Sequence, residues 1–182
     1  MPVIITTSRD PSRRTRSLVK DLALVIPKSI KVNRGKATLE DLRALMLSYR
    51  LNGIIIVYER KGNPSALLYY VDKGNELKRR FLVKLRSLRL RREVTGSQRP
   101  INVSCLIIDC NTALTELLEA FTEMFDATCY GSSGLSNSLE CIKVEVNPDV
   151  DGQCINVRFI CLGSNRICGP QLTIEKVIKY EV

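Results

Sequence analysis

Histidine is absent from this chain of 182 residues. Its absence removes Ser-His-Asp and Cys-His catalysis, His-containing zinc fingers and imidazole proton relays. Tryptophan is also absent and aromatics make up only 5%, which speaks against a platform for stacking single-stranded bases. Seven cysteines occur, but no two have the two-residue gap of a zinc knuckle or a thioredoxin-like site, so no metal is expected. No apolar run reaches membrane length and no stretch reads as a signal peptide; the expectation is a cytoplasmic protein without a membrane partner. What is present is a hydrophobic fraction of 45%, enough to bury a core. The length suits one domain, or two small ones around a shared core.

The 28 Lys+Arg and 19 Asp+Glu give a net charge of +9, and that charge is not evenly spread. Up to Arg99 there are 23 basic and 8 acidic residues, a balance of +15, whereas Pro100 to Val182 holds 5 basic and 11 acidic, a balance of −6. The boundary falls in the turn-rich Thr95-Gly96-Ser97-Gln98-Arg99-Pro100, dividing a basic half (1–99) from an acidic half (100–182). Thermophilic surface charge would mix the signs. One strongly basic half instead suits a polyanion, because each cation near a phosphate releases condensed counterions. All seven cysteines lie in the second half. Cys105, Cys141, Cys154 and Cys161 sit in apolar or alternating runs and read as small buried hydrophobes, with disulfides left open.

Val3-Ile4-Ile5-Thr6 reads as a buried strand. Asp10-Pro11 is expected to open a helix, with the carboxylate at the cap and Pro27 as the stop. Leu18, Leu22, Val25 and Ile26 recur at helical spacing, and Arg13, Arg16 and Lys20 make a cationic stripe on the far side. Ser29 to Val32 reads as a strand, and Thr38 with Asp41 as the capping box of a second helix that Asn52-Gly53 ends. Ile54 to Tyr58 and Ala66 to Val71 form a hairpin through Lys61-Gly62-Asn63-Pro64. Lys78 to Arg92 carries eight cations in fifteen residues; it fits a long strand bulged at Ser87-Leu88, the favoured reading, and also a helical face. Beyond the junction, Ile101 to Ile108 reads as a strand. A helix capped by Asn111 or Thr112 follows, with Gly131 to Asn137 as a flexible loop. Further strands are expected at Cys141 to Val146, Cys154 to Leu162 and Gln171 to Tyr180. The expected fold is α/β, two similar lobes of mixed sheet plus helices.

Three segments suit an anion. Ser8-Arg9-Asp10-Pro11-Ser12-Arg13-Arg14-Thr15-Arg16 leads a hydroxyl-rich loop into a helix start, where free N–H groups and the dipole favour negative charge. It has neither the glycines nor the Gly-Lys-Ser/Thr ending of a nucleotide-binding loop. Lys31-Val32-Asn33-Arg34-Gly35-Lys36 is a basic turn, and the Lys78–Arg92 row concentrates like charges that repel one another unless a polyanion is present. Against these stands the simpler reading of capped helices and solvated faces. Carboxylate pairs occur at Glu40-Asp41 and Asp149-Asp151, yet capping and turn formation explain both; a magnesium-dependent nuclease is the weakest alternative.

The run Ile4-Ile5-Thr6-Thr7-Ser8-Arg9-Asp10-Pro11-Ser12, continuing as Arg14-Thr15-Arg16-Ser17-Leu18-Val19-Lys20-Asp21-Leu22, resembles the opening of Brix-domain proteins. Ile26-Pro27-Lys28-Ser29, Val32-Asn33-Arg34-Gly35-Lys36 and Leu39-Glu40-Asp41-Leu42 resemble the same family. The likeness is closest to the branch containing a small-subunit processome component that binds a small nucleolar RNA. Where Brix proteins show Gly-Pro-Arg, this chain has Gly169-Pro170-Gln171. The resemblance implies an archaeal member, residues 1–182 as a single Brix domain, and two halves resembling the anticodon-binding domains of class II tRNA synthetases. It also implies a role in ribosomal RNA processing and ribosome assembly.

Together these give an expected non-catalytic RNA-binding ribosome biogenesis factor with no cofactor and no small-molecule substrate. Its RNA-binding residues are expected to be Ser8, Arg9, Arg13, Arg14, Arg16, Lys20, Arg34, Lys36, Lys84, Arg86, Arg89 and Arg91. Expected partners are a ribosomal RNA precursor or small guide RNA and other assembly proteins. The alternative is a protein–protein scaffold in pre-ribosomal particles.

Overall fold

A computed structural model describes residues 2–109, 114–130 and 140–181. The first half runs β1 (Val3–Thr7), α1 (Arg13–Val25), β2 (Ile30–Lys31), α2 (Leu39–Ser48), β3 (Gly53–Arg60), β4 (Asn63–Lys73) and β5 (Glu76–Arg89), then a 3-10 turn at Arg91–Glu93. The second runs β6 (Cys105–Asp109), α3 (Thr115–Phe125), β7 (Ala127–Tyr130), β8 (Cys141–Pro148), β9 (Ile155–Cys161), β10 (Arg166–Ile167) and β11 (Gln171–Lys179).

The strands make one mixed sheet ordered β2-β1-β3-β4-β5-β11-β9-β8-β6-β7, with β10 pairing on β9. β1 is parallel to β2 and β3, and β6 is parallel to β7 and β8. From either edge the strand order is the same: the outer strand of each half (β2, β7) pairs with the half's first strand (β1, β6), then come an inner parallel strand (β3, β8) and two antiparallel strands (β4 and β5, β9 and β11), and in the first half α2 joins the outer strand to the inner one. The halves meet where β5 runs antiparallel to β11.

Strand alternation decides which helix covers which face. Val3, Ile5, Val57, Phe81, Val83, Leu106, Phe159 and Leu172 turn to one side, where Leu18, Leu22 and Val25 of α1 and Phe121 and Phe125 of α3 pack on them. Ile4, Ile54, Ile56, Leu68 and Tyr70 turn to the other, under Leu42 and Met46 of α2. Among the described residues, no helix is long and apolar enough to cross a membrane.

Several elements differ from their sequence reading. The cap of α1 is Ser12, not Asp10: Ser12 Oγ accepts from the Thr15 N–H at 3.2 Å, while Asp10 lies in a left-handed turn at φ 50°. The end of α2 turns through Arg50 at φ 53°, and Gly53 begins β3 instead; a Cβ there would stand 2.4 Å from the Tyr69 ring. The strand expected over 101–108 is confined to Cys105–Asp109. The caps expected at Asn111 or Thr112 and the loop at 131–137 lie outside the described residues. The row from Lys78 is the long strand β5, with pairing irregularities beside Arg80 and Arg86 and not at Ser87-Leu88. The irregularity at Arg86 leaves both Arg86 and Ser87 exposed and returns Leu88 to the core side.

The cysteines correct the expectation of simple buried hydrophobes. Cys105 and Cys141 stand directly opposite on parallel strands, Cα atoms 4.8 Å apart, and are bridged. Cys161 and Cys168, 5.8 Å apart at Cα, are bridged between β9 and the segment before β11. Cys154 is buried and free, as a small apolar residue would be.

Candidate nucleic-acid interface

β1 connects through α1 on one face of the sheet, and β2 returns through α2 on the other. Such a reversal leaves a crevice beyond the carboxyl ends of parallel strands, the usual ligand position in open α/β sheets. Here the crevice measures about 690 Å³ between α1, the loop after β1 and the turn after β2. Arg16, Lys20, Lys31 and Arg34 line it, with Asp10 its one carboxylate. Helical spacing puts Arg16 and Lys20 on the side of α1 away from Leu18 and Leu22, and both are exposed. Arg16 Nη2 donates to the Pro11 carbonyl at 3.0 Å, and Lys31 Nζ to Asn33 Oδ1 at 3.4 Å.

Arg34 has a different status from its neighbours. It is buried, and its Nε donates to the Ala37 carbonyl at 3.0 Å, closing the turn that carries exposed Gly35 and Lys36. Lys31 lies in the basic turn 31–36 but outside the expected site residues; its place at the carboxyl end of β2 is the signal that marks it.

The start of α1 already holds an anion. Glu59 Oε2 accepts from the Ser12 N–H at 2.9 Å and from Thr15 Oγ1 at 2.5 Å. The Thr15 hydroxyl, more than any other contact, holds the Glu59 carboxyl below its ordinary 4.5, against the effect of its burial. No acidic residue lies in the first turn of α1 itself, so Glu59 supplies the charge that the helix dipole favours there. The anion-receptive surface is therefore the crevice beside α1, not the helix tip.

The other expected residues fall into three groups. Arg9 and Arg13 are exposed at the same end of the first half, with Ser8 half-buried and donating its N–H to the Val57 carbonyl at 2.9 Å. Arg14 and Arg91 are engaged within the fold. Arg14 forks onto Glu93, and the Arg91 N–H donates to Asp21 Oδ2 at 2.8 Å with its guanidinium 3.8 Å away. Burial of Asp21 pushes its carboxyl up from 3.8, opposed by the Arg91 hydrogen bond and charge.

Lys84, Arg86 and Arg89 belong to neither group. Their neighbours Val83, Leu85 and Leu88 face the α1 side, so these cations lie on the opposite face of the sheet. Lys84 pairs with Glu175 at 2.7 Å and Arg86 Nη1 lies 3.6 Å from Cys154 Sγ, while Arg89 is exposed. The expected cations thus make two surfaces and not one.

One carboxylate of each pair weighed for catalysis is in structural use: Asp41 completes the capping box with Thr38, and Asp149 Oδ1 accepts from the Cys154 N–H at 3.1 Å within its own turn. Among the described residues, no group of three or more His, Cys, Asp or Glu is placed to hold a metal ion.

The topology defines a mixed α/β protein whose two halves repeat one strand order across a shared sheet. No family model matches the chain. A probable Brix domain-containing ribosomal biogenesis protein of Pyrobaculum aerophilum is 38% identical over 125 residues, 68% of this chain and 67% of that protein. One from Methanopyrus kandleri is 31% identical over 153 residues, 82% of this chain and 78% of that protein. The crystal structure of a probable ribosomal biogenesis protein from Aeropyrum pernix superposes with TM-score 0.77 at 26% identity, covering 96% of this chain and 95% of that one. The chain belongs to the Brix-domain ribosomal biogenesis proteins. A shorter similarity, 37% identity over 65 residues, joins 36% of the chain to 23% of the U3 small nucleolar ribonucleoprotein protein IMP4 of Yarrowia lipolytica.

Proposed function

We propose that this protein is a cytoplasmic RNA-binding factor of ribosome biogenesis, acting in ribosomal RNA processing and small-subunit assembly without catalysis of its own. The observation that carries the reading is the crevice at the carboxyl ends of β1 and β2, where Arg16, Lys20, Lys31 and Arg34 face one another with a single carboxylate among them. Four cations around an open crevice repel unless an anion joins them, and exposed Arg9, Arg13 and Lys36 extend the field. Phosphates suit this surface better than bases, because few aromatics are available to stack. The names of the relatives, ribosomal biogenesis proteins and U3 ribonucleoprotein components, support ribosomal RNA precursor or a small guide RNA as the bound molecule, with assembly proteins as further partners.

The repeated strand order of the two halves fits the resemblance to class II synthetase anticodon-binding domains, and we read the protein as two such units fused edge to edge. Crosslinking in the native cell followed by sequencing of the attached RNA tests the reading. Reads concentrated on ribosomal RNA precursor support it; reads scattered over unrelated messages contradict it. Pull-down before and after RNase treatment separates it from a protein scaffold, whose associations survive the nuclease.

A further inference from the structure

The seam between the halves carries a second polar groove, on the face of the sheet away from α1 and α3. Leu88 of β5, Val157 of β9 and Leu172 of β11 pack into the core. Alternation therefore turns Ser87, Arg89, Asn156, Arg158, Gln171 and Thr173 to the opposite side, where they line a groove of about 340 Å³. Gln171 pairs opposite Arg89, and Thr173 stands between Ser87 and Asn156. Both halves contribute to this groove, and among the described residues no carboxylate lines it although β9 and β11 belong to the acidic half.

Its chemistry differs from that of the α1 crevice. Arg89 is exposed and makes no ion pair among the described residues, and half-exposed Arg158 stands 3.9 Å from Glu145. Between them are two amides. The Thr173 hydroxyl donates to Asn156 Oδ1 at 3.1 Å, which fixes the amide's orientation and leaves its NH₂ to donate elsewhere. An amide held in this way presents a directional donor, as reading of a base edge requires, whereas a phosphate track needs only cations. Guanidinium groups supply forked contacts to phosphate and flat surfaces for an unstacked base.

We propose that this seam groove takes an unpaired nucleotide of the bound RNA, with Arg89 and Arg158 on its phosphates and Asn156 and Gln171 on its base edge. The proposal rests on the RNA-binding reading and adds base preference to it, on a surface separate from the α1 crevice.

The test titrates the full chain with short poly(U), poly(A) and poly(C) oligonucleotides, by anisotropy, over a range of salt. The expected result is a preference for one base of roughly fivefold or more, the lower end of what a good base-edge pair discriminates. Asn156→Asp keeps the acceptor for Thr173 but removes the donor; with Gln171→Ala it is expected to abolish that preference. Arg89→Ala and Arg158→Ala are each expected to flatten the salt slope by about 0.7. Arg13→Ala with Arg16→Ala is expected to leave the preference standing. Binding with no base preference, or a preference unchanged in the Asn156→Asp/Gln171→Ala variant, overturns the groove and leaves the RNA-binding reading intact. Failure of the unaltered protein to bind any of the three overturns both.

Discussion

Arg14 grips Glu93 with both arms of its guanidinium, Nη1 to Oε1 at 2.7 Å and Nη2 to Oε2 at 2.9 Å, and also donates to the Leu88 carbonyl at 3.2 Å. The same Glu93 oxygen accepts from the Leu90 N–H at 2.9 Å. The contact ties the first turn of α1 to the chain leaving β5, so this arginine belongs to the fold and its neighbour Arg13 to the surface.

Arg14→Ala is therefore expected to lower stability and leave the salt dependence of RNA binding unchanged. With both partners about one-third exposed, solvent screening limits the loss to about 1 kcal/mol. Arg13→Ala is expected to do the reverse. Urea denaturation beside binding isotherms distinguishes the two, and a shallower salt slope in Arg14→Ala would contradict the division.

Acid is expected to weaken the junction of α1 with β3. Glu59 has a lowered folded-state value, so the stability it contributes is present above its ordinary 4.5 and is lost as pH falls through the folded value. Asp21 runs the other way: with its folded value raised, its contribution is present below 3.8 and lost as pH rises through the folded value. Glu59→Gln is expected to flatten the acid limb of a stability-against-pH curve. An unaltered limb would show that the Thr15 and Ser12 contacts do not persist in solution.

Gly169 leaves no room for a side chain. A Cβ there would meet Phe159 Cβ at 2.7 Å and Val25 Cγ1 at 2.8 Å, all in the core between α1 and β9. Gly169→Ala is expected to cost about 1–3 kcal/mol through overpacking, read as a lower denaturation midpoint with unchanged RNA affinity in the folded protein.

Reduction is expected to destabilise the second half. The Cys105–Cys141 bridge spans a sequence separation of 36, and closing a loop of that length stabilises by about 3–4 kcal/mol in the chain-entropy view. Denaturation with and without reductant, with thiol counting by mass, checks this; equal midpoints would contradict it.

Much of the fold was legible because it depends on periodicity. The Leu18-Leu22-Val25 stripe, the Thr38–Asp41 capping box and the alternation along β5 are local signals, and each marks its element correctly. What was not legible depends on distant partners. Ser12 rather than Asp10 caps α1 with help from Glu59, 47 residues away. Arg34 looks like a free surface cation until the turn folds over it, and Cys105 finds Cys141 only through strand register. Charge counting identified the cations of the first half, but not that the sheet divides them between two faces.

If phosphates occupy the crevice flanked by α1, removing two of its cations lowers the number of counterions released on binding. The slope of log K against log salt is compared, for a ribosomal RNA fragment, between the unaltered protein and Arg16→Ala/Lys20→Ala, which removes two cations that line the crevice. Two lost phosphate contacts predict a slope shallower by roughly 1.4 to 1.8. An identical slope in a folded double variant would remove α1 and its crevice from the interface.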